Sequence, residues 1–306
     1  MSSSTGAALR VVIFTDEPGW HGAQLKACFA AGGAQAEYLS LTDCHVDLEA
    51  NAAGFVIGPR EAPLPAAVFV RGVPGGSLEA ITLRLDLLHR LAALGVPVIN
   101  SARTIERTVD KAMTSLLLHQ HAIPTPQTFV SESLESTRAY VATTLARGVS
   151  LVKKPLFGSQ GKGLRRVRKI DDLGYLMPGE VCYLQHFVAV DQAPYRDYRV
   201  MVVEGRAVAA MERVSDHWIT NRAQGADCHA LPLNDQLVEL AEAAASAVDA
   251  DYAGVDLLRA PDGCWLVTEV NGIPAWQGLQ CATGIDISTL LVAACWRRIA
   301  LAAASR

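Results

Sequence analysis

No C-x-x-C pair occurs in this sequence. Its seven cysteines, at 28, 44, 182, 228, 264, 281 and 295, are odd in number and widely spaced, which suits reduced thiols in a cytoplasmic protein. An excess of one charge is missing too: 27 Lys and Arg against 31 Asp and Glu leave a net charge of -4 and a pI near 6.1. Such a chain has no global attraction to nucleic acid or to an anionic membrane, and neither is expected as a partner. Residues 1–9 lack the basic start and apolar core of a signal peptide and are expected to form a loose tail. The apolar C-terminal helix is broken by Arg297 and Arg298, so it is expected to fall short of a membrane span. No G-x-G-x-x-G follows the first strand, which leaves dinucleotide binding there unsupported. Internal repeats and low-complexity runs are absent from the sequence.

What is present is a chain of 306 residues, 50% of them hydrophobic, enough for two or three modest lobes with a substantial core. Arg10 to Phe14, Glu37 to Leu41, Ala67 to Arg71 and Val96 to Asn100 read as strands. His21 to Ala31 and Leu83 to Leu94 have helical spacing between them. This alternation predicts a small parallel α/β domain over residues 10–107. Arg71 closes one of its strands before a glycine-rich turn, where parallel sheets tend to bind ligands. It is either a substrate contact or a surface arginine.

Ser101 is expected to cap the next helix, and Thr108 or Asp110 to open the one after it, which carries Lys111. Ile123-Pro124-Thr125-Pro126 then removes donors and forces extension. Strands over Gln127 to Val130 and Ser150 to Lys154, with a helix over Leu134 to Arg147, build a central lobe, residues 108–190. Lys154 is followed by glycines at 158, 161 and 163 within Gly158-Ser159-Gln160-Gly161-Lys162-Gly163. Glycines there permit positive φ and expose backbone N–H groups, as a loop over phosphates requires. The spacing is not that of a Walker A loop, and a flexible turn is the alternative. Lys111, Lys154 and Lys162 would supply charge for a triphosphate.

Residues 191–306 form the expected C-terminal lobe. Asp197 to Val203 and Ala207 to Arg213 make a hairpin turning at Glu204-Gly205. Asp197 and Arg199 share one face, and Arg213 closes the partner strand; they form either a clamp for a transferring phosphoryl group or an ordinary charge ladder. Ser215 to His229 has no period and reads as a mobile loop. Gly254 to Leu258 and Trp265 to Asn271 flank Pro261-Asp262-Gly263. With Asp262 and Gly263 at the centre of a two-residue turn, cross-strand partners sum to 525, so Asp256 faces Glu269, with Asn271 on the same face. Val267 and Leu258 are expected beside them, and Thr268 on the opposite face. Two carboxylates and an amide oxygen on one apolar face would repel without a cation, and all-oxygen ligands point to Mg²⁺. The alternative is a solvated polar face.

Lys111, Lys154-Pro155 with its glycine loop, Gln185-His186-Phe187, Asp197-x-Arg199, Arg213, Asn221 and the Asp256, Glu269, Asn271 set together resemble the ATP-grasp superfamily. Within it, Ala253-Gly254-Val255-Asp256, Glu269-Val270-Asn271 and Thr283-Gly284-Ile285-Asp286-Ile287 are similar to RimK-type α-L-glutamate ligases. Phe69-Val70-Arg71, Asn221 to Gly225 and Ile273 to Leu279 resemble the branch that acts on tetrahydromethanopterin. The resemblance implies an α/β and α+β chain, an ATP-grasp fold behind an N-terminal parallel α/β domain. It implies ATP between two β-rich lobes, with Lys111 and Lys154 on its phosphates, Gly158, Ser159, Gln160, Gly161 and Gly163 in the loop over them, and Gln185, His186, Phe187 and Val188 along the adenine. Asp197 would touch the nucleotide, and Arg199, Arg213 and Asn221 would be catalytic. Asp256, Glu269 and Asn271 would hold metal, two Mg²⁺ or Mn²⁺ ions per site. Arg71, Gln224 and Trp276 would meet substrate, Trp276 by stacking on a flat ring unless it is a core residue.

Departures are His186, where many relatives have Glu, and Gln224, where protein-modifying members have Arg. The implied reaction activates a carboxylate as an acyl phosphate and joins it to L-glutamate, the acceptor being a pterin cofactor. Other acceptors are another small cofactor, an amino-acid carrier or a protein tail. A regulatory nucleotide-binding protein without turnover is the rival from another class. Association of copies of the chain is left open.

Overall fold

A computed structural model describes residues 9–60, 62–158, 160–177, 179–188 and 192–304. Residues 1–8 of the expected tail and Ser159 of the glycine loop lie outside them. The chain divides into two compact units, the first built from the described residues up to Ile105 with residues 275–277 and 286–304, the second from Glu106–Pro274 and Gly278–Ile285.

The first unit begins with β1 (Arg10–Phe14), α1 (Gly19–Ala31) and β2 (Gln35–Leu39), then the two-residue strands β3 (His45–Val46) and β4 (Phe55–Val56). It continues through β5 (Ala67–Val70), α2 (Leu78–Ala93) and β6 (Val98–Ile99). The main strands pair in parallel in the order β2-β1-β5-β6. Residues Val11 to Phe14 and Ala67 to Val70 are fully buried, which explains their unbroken apolar runs, since a parallel sheet is covered on both faces. Ser77 caps α2 by accepting from the Ala80 N–H at 3.3 Å, so the helix starts five residues earlier than its apolar spacing predicts.

The last helix, α8 (Ile287–Ala304), belongs to this unit and not to the C-terminal lobe expected from the sequence. It packs on α1 and β5, burying Ile287, Leu291, Val292 and Cys295. A Cβ on Gly32 would lie 2.7 Å from the Trp296 indole nitrogen, so only glycine allows this approach. With 18 residues and a mean hydropathy of 1.5, α8 is long and apolar enough to cross a membrane by length and composition, a correction to the expected shortfall. Its apolar face is instead spent on the core of the unit.

The second unit follows α3 (Ala102–Val109) with α4 (Lys111–Gln120), β7 (Thr128–Ser131), α5 (Leu134–Ala146), β8 (Leu151–Lys154), β9 (Arg165–Val167) and β10 (Cys182–His186). These four strands form one sheet in the order β7-β10-β8-β9. Then come β11 (Tyr195–Val203), β12 (Arg206–Ser215), β13 (Asp227–Leu231), α6 (Asp235–Ala247), β14 (Tyr252–Arg259), β15 (Trp265–Asn271) and α7 (Gln277–Thr283). Strands β13-β12-β11-β14-β15 make a wholly antiparallel sheet.

Alanines 241, 244 and 245 of α6 lie against Val200, Val202, Val255, Leu257 and Val267 on one face of that sheet. Small side chains let the helix sit close, and the opposite face is left for polar groups. The segment expected to be a mobile loop is shorter than predicted. Its end is β13, paired with β12 so that Cys228 faces Arg213; alternating His229 and Ala230 gave no apolar period from which to see it.

Candidate active site

The Asp256 and Glu269 pairing is as the sequence predicts, but for a different reason. Near the turn, Arg259 faces Trp265 and Leu258 faces Leu266, partners that sum to 524. The connection is therefore three residues, Pro261 to Gly263, with Gly263 at φ +90°. That is the turn with a left-handed glycine at its end. A bulge between Asp256 and Leu257 on the ladder then adds one residue on β15, and Asp256 faces Glu269 while Gly254 faces Asn271.

The added residue is Thr268. Two consecutive side chains at a bulge leave the strict alternation of a strand. Thr268 and Glu269 consequently line the same cavity as Asp256 and Leu258, and the Thr268 hydroxyl donates to the Asp256 carbonyl at 3.1 Å. Val267 turns to the opposite face, wholly buried against α6. The expected positions of Thr268 and Val267 are thus exchanged. No sequence signal beyond the turn length could have shown this.

Four charged side chains run in alternating order across β12, β11 and β14. Arg213 holds Asp197 through two bonds of 2.5 and 2.7 Å and reaches Asp256 at 3.2 Å. Arg199 holds Asp256 bidentately, both contacts at 2.7 Å. Burial alone would push the Asp256 carboxyl up, yet the Arg199 and Arg213 guanidiniums outweigh it and hold the group at about 2. Asp197, facing one arginine, is pushed up by burial against the pull of Arg213. The ladder reading and the clamp reading therefore meet: the arginines are placed on the cavity face, but their charge is already matched. Asp197 is likewise engaged with Arg213 before any nucleotide is considered.

Two adjoining cavities of about 120 and 70 Å³ share Lys154, Leu164, Asn221, Asp256 and Glu269. The smaller is lined by Lys111, Lys154, Lys162 and Arg199 against only Asp256 and Glu269 as carboxylates, so its charge suits a polyanion. Asn271 completes that wall, its Oδ1 accepting from the Ile273 N–H at 2.9 Å with a lone pair remaining. Asp256, Glu269 and Asn271 thus offer the hard oxygen donors that Mg²⁺ takes together with phosphate oxygens. Among the described residues no three His, Cys, Asp or Glu side chains gather as a metal site, here or elsewhere; this wall offers two carboxylates and one amide. A larger cavity, about 540 Å³, lies in the first unit, but its Arg10 is spent on Glu37 and on the Pro63 and Ile57 carbonyls.

Lys111 donates to the Gly158 carbonyl at 2.8 Å, and Lys154 to Gln185 Oε1 at 2.7 Å. Burial lowers both ammonium pKa values, Lys154 to about 8. Gly158, Gln160 and Gly161 face this cavity, whereas Gly163 sits against Pro155. Gly161 has φ +72°, and a Cβ there would meet the Asn221 side-chain oxygen at 2.5 Å, so the loop containing Asn221 lies directly on the glycine loop. Gln224 reaches the same loop, donating to the Gln160 carbonyl at 3.3 Å.

Residues 108–295 match the RimK-like ATP-grasp domain. The chain belongs to the RimK-like ATP-grasp family. Over 231 residues it is 38% identical to the tetrahydromethanopterin:α-L-glutamate ligase of Methanococcus maripaludis, covering 73% of this chain and 76% of that protein. It is 32% identical over 209 residues to the α-aminoadipate–LysW ligase LysX of Saccharolobus solfataricus, covering 65% and 74%. Among solved structures, the ATP-grasp ligase PsnB with a phosphomimetic variant of its minimal precursor, Mg and ADP matches at a TM-score of 0.75 and 20% identity, covering 95% of this chain and 99% of that one. At that identity the likeness is one of fold. By its family and relatives the chain is an ATP-grasp ligase of the acid–amino-acid class.

Within this ATP-grasp chain β10 (Cys182–His186) sends Gln185 and His186 to opposite faces. The His186 ring contacts Tyr140 at 3.3 Å, beside the core of the β7-β10-β8-β9 sheet, and burial together with Arg147 lowers its pKa. Its ring is thus engaged by Tyr140, while His186 still lines the larger of the two adjoining cavities with Gln185, Phe187 and Val188. Trp276 corrects another expectation: it is fully buried, its indole N–H donates to Ser288 at 2.9 Å, and the Arg71 guanidinium lies 4.6 Å over its ring. It is the core residue of the two alternatives and presents no open face for a flat ligand. Trp218 and Thr268, which line the larger of the two adjoining cavities, escaped sequence reasoning, one in an aperiodic loop and one at an unforeseen bulge.

Proposed function

We propose that this ATP-grasp ligase adds L-glutamate to the side-chain carboxylate of a tetrahydromethanopterin-type pterin. The geometry that carries the ligase chemistry is the convergence of Lys111, Lys154, the glycine loop, Asp256, Glu269 and Asn271 on one cationic cavity. Relatives named as tetrahydromethanopterin:α-L-glutamate ligases, 31 to 38% identical, support the pterin and the glutamate.

In the proposed reaction an acceptor carboxylate oxygen attacks the γ-phosphorus of ATP in line and the bond to the bridging oxygen breaks, releasing ADP. The glutamate amine then attacks the acyl carbon; phosphate leaves with the bonding electrons, and the amine loses a proton. Lys111 and Lys154 hold the phosphates, and the Gln160 to Gly161 backbone covers them. Phe187 and Val188 line the base. Arg199 and Arg213, already ion-paired, fix the Asp256 carboxylate and give a preorganised field toward the transferring group. Asn221, laid on the glycine loop, and Gln224 keep water from the acyl phosphate. Asp256, Glu269 and Asn271 would hold the magnesium, in this reading two ions, which when bound neutralises charge on the phosphates.

The deciding experiment incubates the enzyme with ATP, labelled glutamate and a reduced pterin bearing a carboxylate side chain. The expected result is phosphate release that needs both acceptor and glutamate, and a pterin heavier by one glutamyl residue in the mass spectrum. LysX, at 32% identity, favours a carrier protein as the second acceptor class. Turnover of such a carrier with none of a pterin would move the assignment there, and no acceptor-dependent phosphate release with either would leave the regulatory alternative.

The Lys154 ammonium gives a pH dependence. Its charged form binds phosphate, and phosphate contact favours that form, so nucleotide binding takes up a proton wherever free Lys154 has lost its own. With the free group at about 8, the Kd for ATP should be flat below pH 8 and rise roughly tenfold per unit above it. Calorimetry from pH 7 to 9.5 checks this; a flat Kd throughout, equal to that of Lys154→Met, takes the ammonium off the phosphates.

A further inference from the structure

Tyr183 is buried, 1% exposed, in the middle of β10. Its hydroxyl lies 2.8 Å from Ser115 Oγ and 3.3 Å from Gln185 Nε2. The Thr128 hydroxyl interacts with it as well, its own hydrogen going to the Pro126 carbonyl at 2.9 Å. The Lys154 ammonium is only a donor, so the Gln185 oxygen must face it, at 2.7 Å. The Gln185 amide N–H groups are then left for Thr128 Oγ1 at 3.1 Å and the Tyr183 oxygen. At the other end the Lys111 carbonyl is only an acceptor, and the Ser115 hydroxyl donates to it at 2.8 Å. The Ser115 hydrogen being used, the Tyr183 O–H must donate to Ser115. One directed chain results, from the Lys154 ammonium through Gln185, Tyr183 and Ser115 to the backbone of Lys111.

Its two ends are the two lysines that the proposed function puts on the phosphates, and these repel each other: Lys111 is among the groups that lower the Lys154 pKa. Like charges that must converge need something to hold their supports in register. β8 carries Lys154 and α4 carries Lys111; their backbones share no ladder. The hydroxyl of Tyr183 joins them. Hydrogen bonds aligned in one direction polarise one another, and a missing member leaves buried groups unsatisfied.

We propose that Tyr183 is a positioning residue for the ligase, its hydroxyl registering Lys111 and Lys154 for the nucleotide phosphates through Ser115 and Gln185. This rests on the assignment of those lysines to phosphate.

The test is a double-mutant cycle on ATP affinity by calorimetry, using Tyr183→Phe, Lys154→Met and the pair, with Ser115→Ala as a second, partly exposed entry to the same chain. Tyr183→Phe and Ser115→Ala should each raise the Kd for ATP roughly three- to tenfold, with a larger change in KM for ATP than in kcat. In the Lys154→Met background Tyr183→Phe should have little further effect, because the end it positions is gone. The inference is overturned if Tyr183→Phe and Ser115→Ala keep wild-type nucleotide affinity while Lys154→Met loses it, or if the two losses simply multiply. Should Lys154→Met itself bind ATP normally, the phosphate assignment fails first and the positioning role with it.

Discussion

Glu269→Gln should lower kcat by at least about a hundredfold, an effect of roughly 3 kcal/mol on the barrier, while the unliganded protein keeps its stability. Glu269 lines both adjoining cavities and joins no ion pair among the described residues, so its charge is available to a cation between itself and the phosphates. Asp256 differs. Both of its oxygens are already held by arginines, and Asp256→Asn should destabilise the unliganded enzyme, where the sequence alone suggests that removing one of two clustered carboxylates is harmless. Comparing kcat, the Mg²⁺ concentration for half activity and the urea midpoint separates the two. Near-normal turnover in Glu269→Gln would remove it from the metal set. Thr268→Val should disturb turnover as well, since the bulge puts its hydroxyl on the Asp256 carbonyl.

Arg213→Met should cost about 3 to 5 kcal/mol of stability, the usual penalty for leaving buried charges without their partner. Arg213 is 3% exposed and shared by Asp197 and Asp256. In the variant, Asp197 keeps its burial and loses the guanidinium that opposes it, so its folded-state pKa, already above the unfolded value, rises further. Stability tied to such a group is present at low pH and lost as pH rises through the folded pKa. The deficit relative to wild type should therefore shrink as pH falls. In wild type, Asp256 moves the other way: lowered to about 2, it contributes stability above the unfolded carboxylate range that is lost as pH falls toward 2. Asp197→Asn in the Arg213→Met background should recover part of the loss. Urea unfolding at pH 4.5 and 7.5 checks both signs; a deficit under about 1 kcal/mol at pH 7.5 would mean that the ladder is solvated.

The residues of the candidate site were legible as a set because their chemistry is local and their types are few. Lysine before a glycine-rich run, alternating Asp197 and Arg199, and carboxylates at 256 and 269 each state a donor, a charge and a face through the two-residue period of a strand. The parallel sheet of the first unit was equally readable, since strands covered on both faces must be continuously apolar, and Val11 to Phe14 and Ala67 to Val70 are.

Tertiary structure decided what depends on partners far along the chain. Whether α8 packs on α1 or belongs to the neighbouring lobe turns on Gly32 admitting Trp296, a contact with no trace in the helix's own period. Trp276 is an aromatic like any other until Ser288 and Arg71 close around it. The hairpin is the clearest case. Its turn is one residue longer than the Asp-Gly signal suggests and its ladder carries one compensating bulge, so the sequence yields the right carboxylate pair while misplacing Val267 and Thr268. A register is set by the sum of turn and ladder, and only packing against α6 determines which side of the bulge each residue takes.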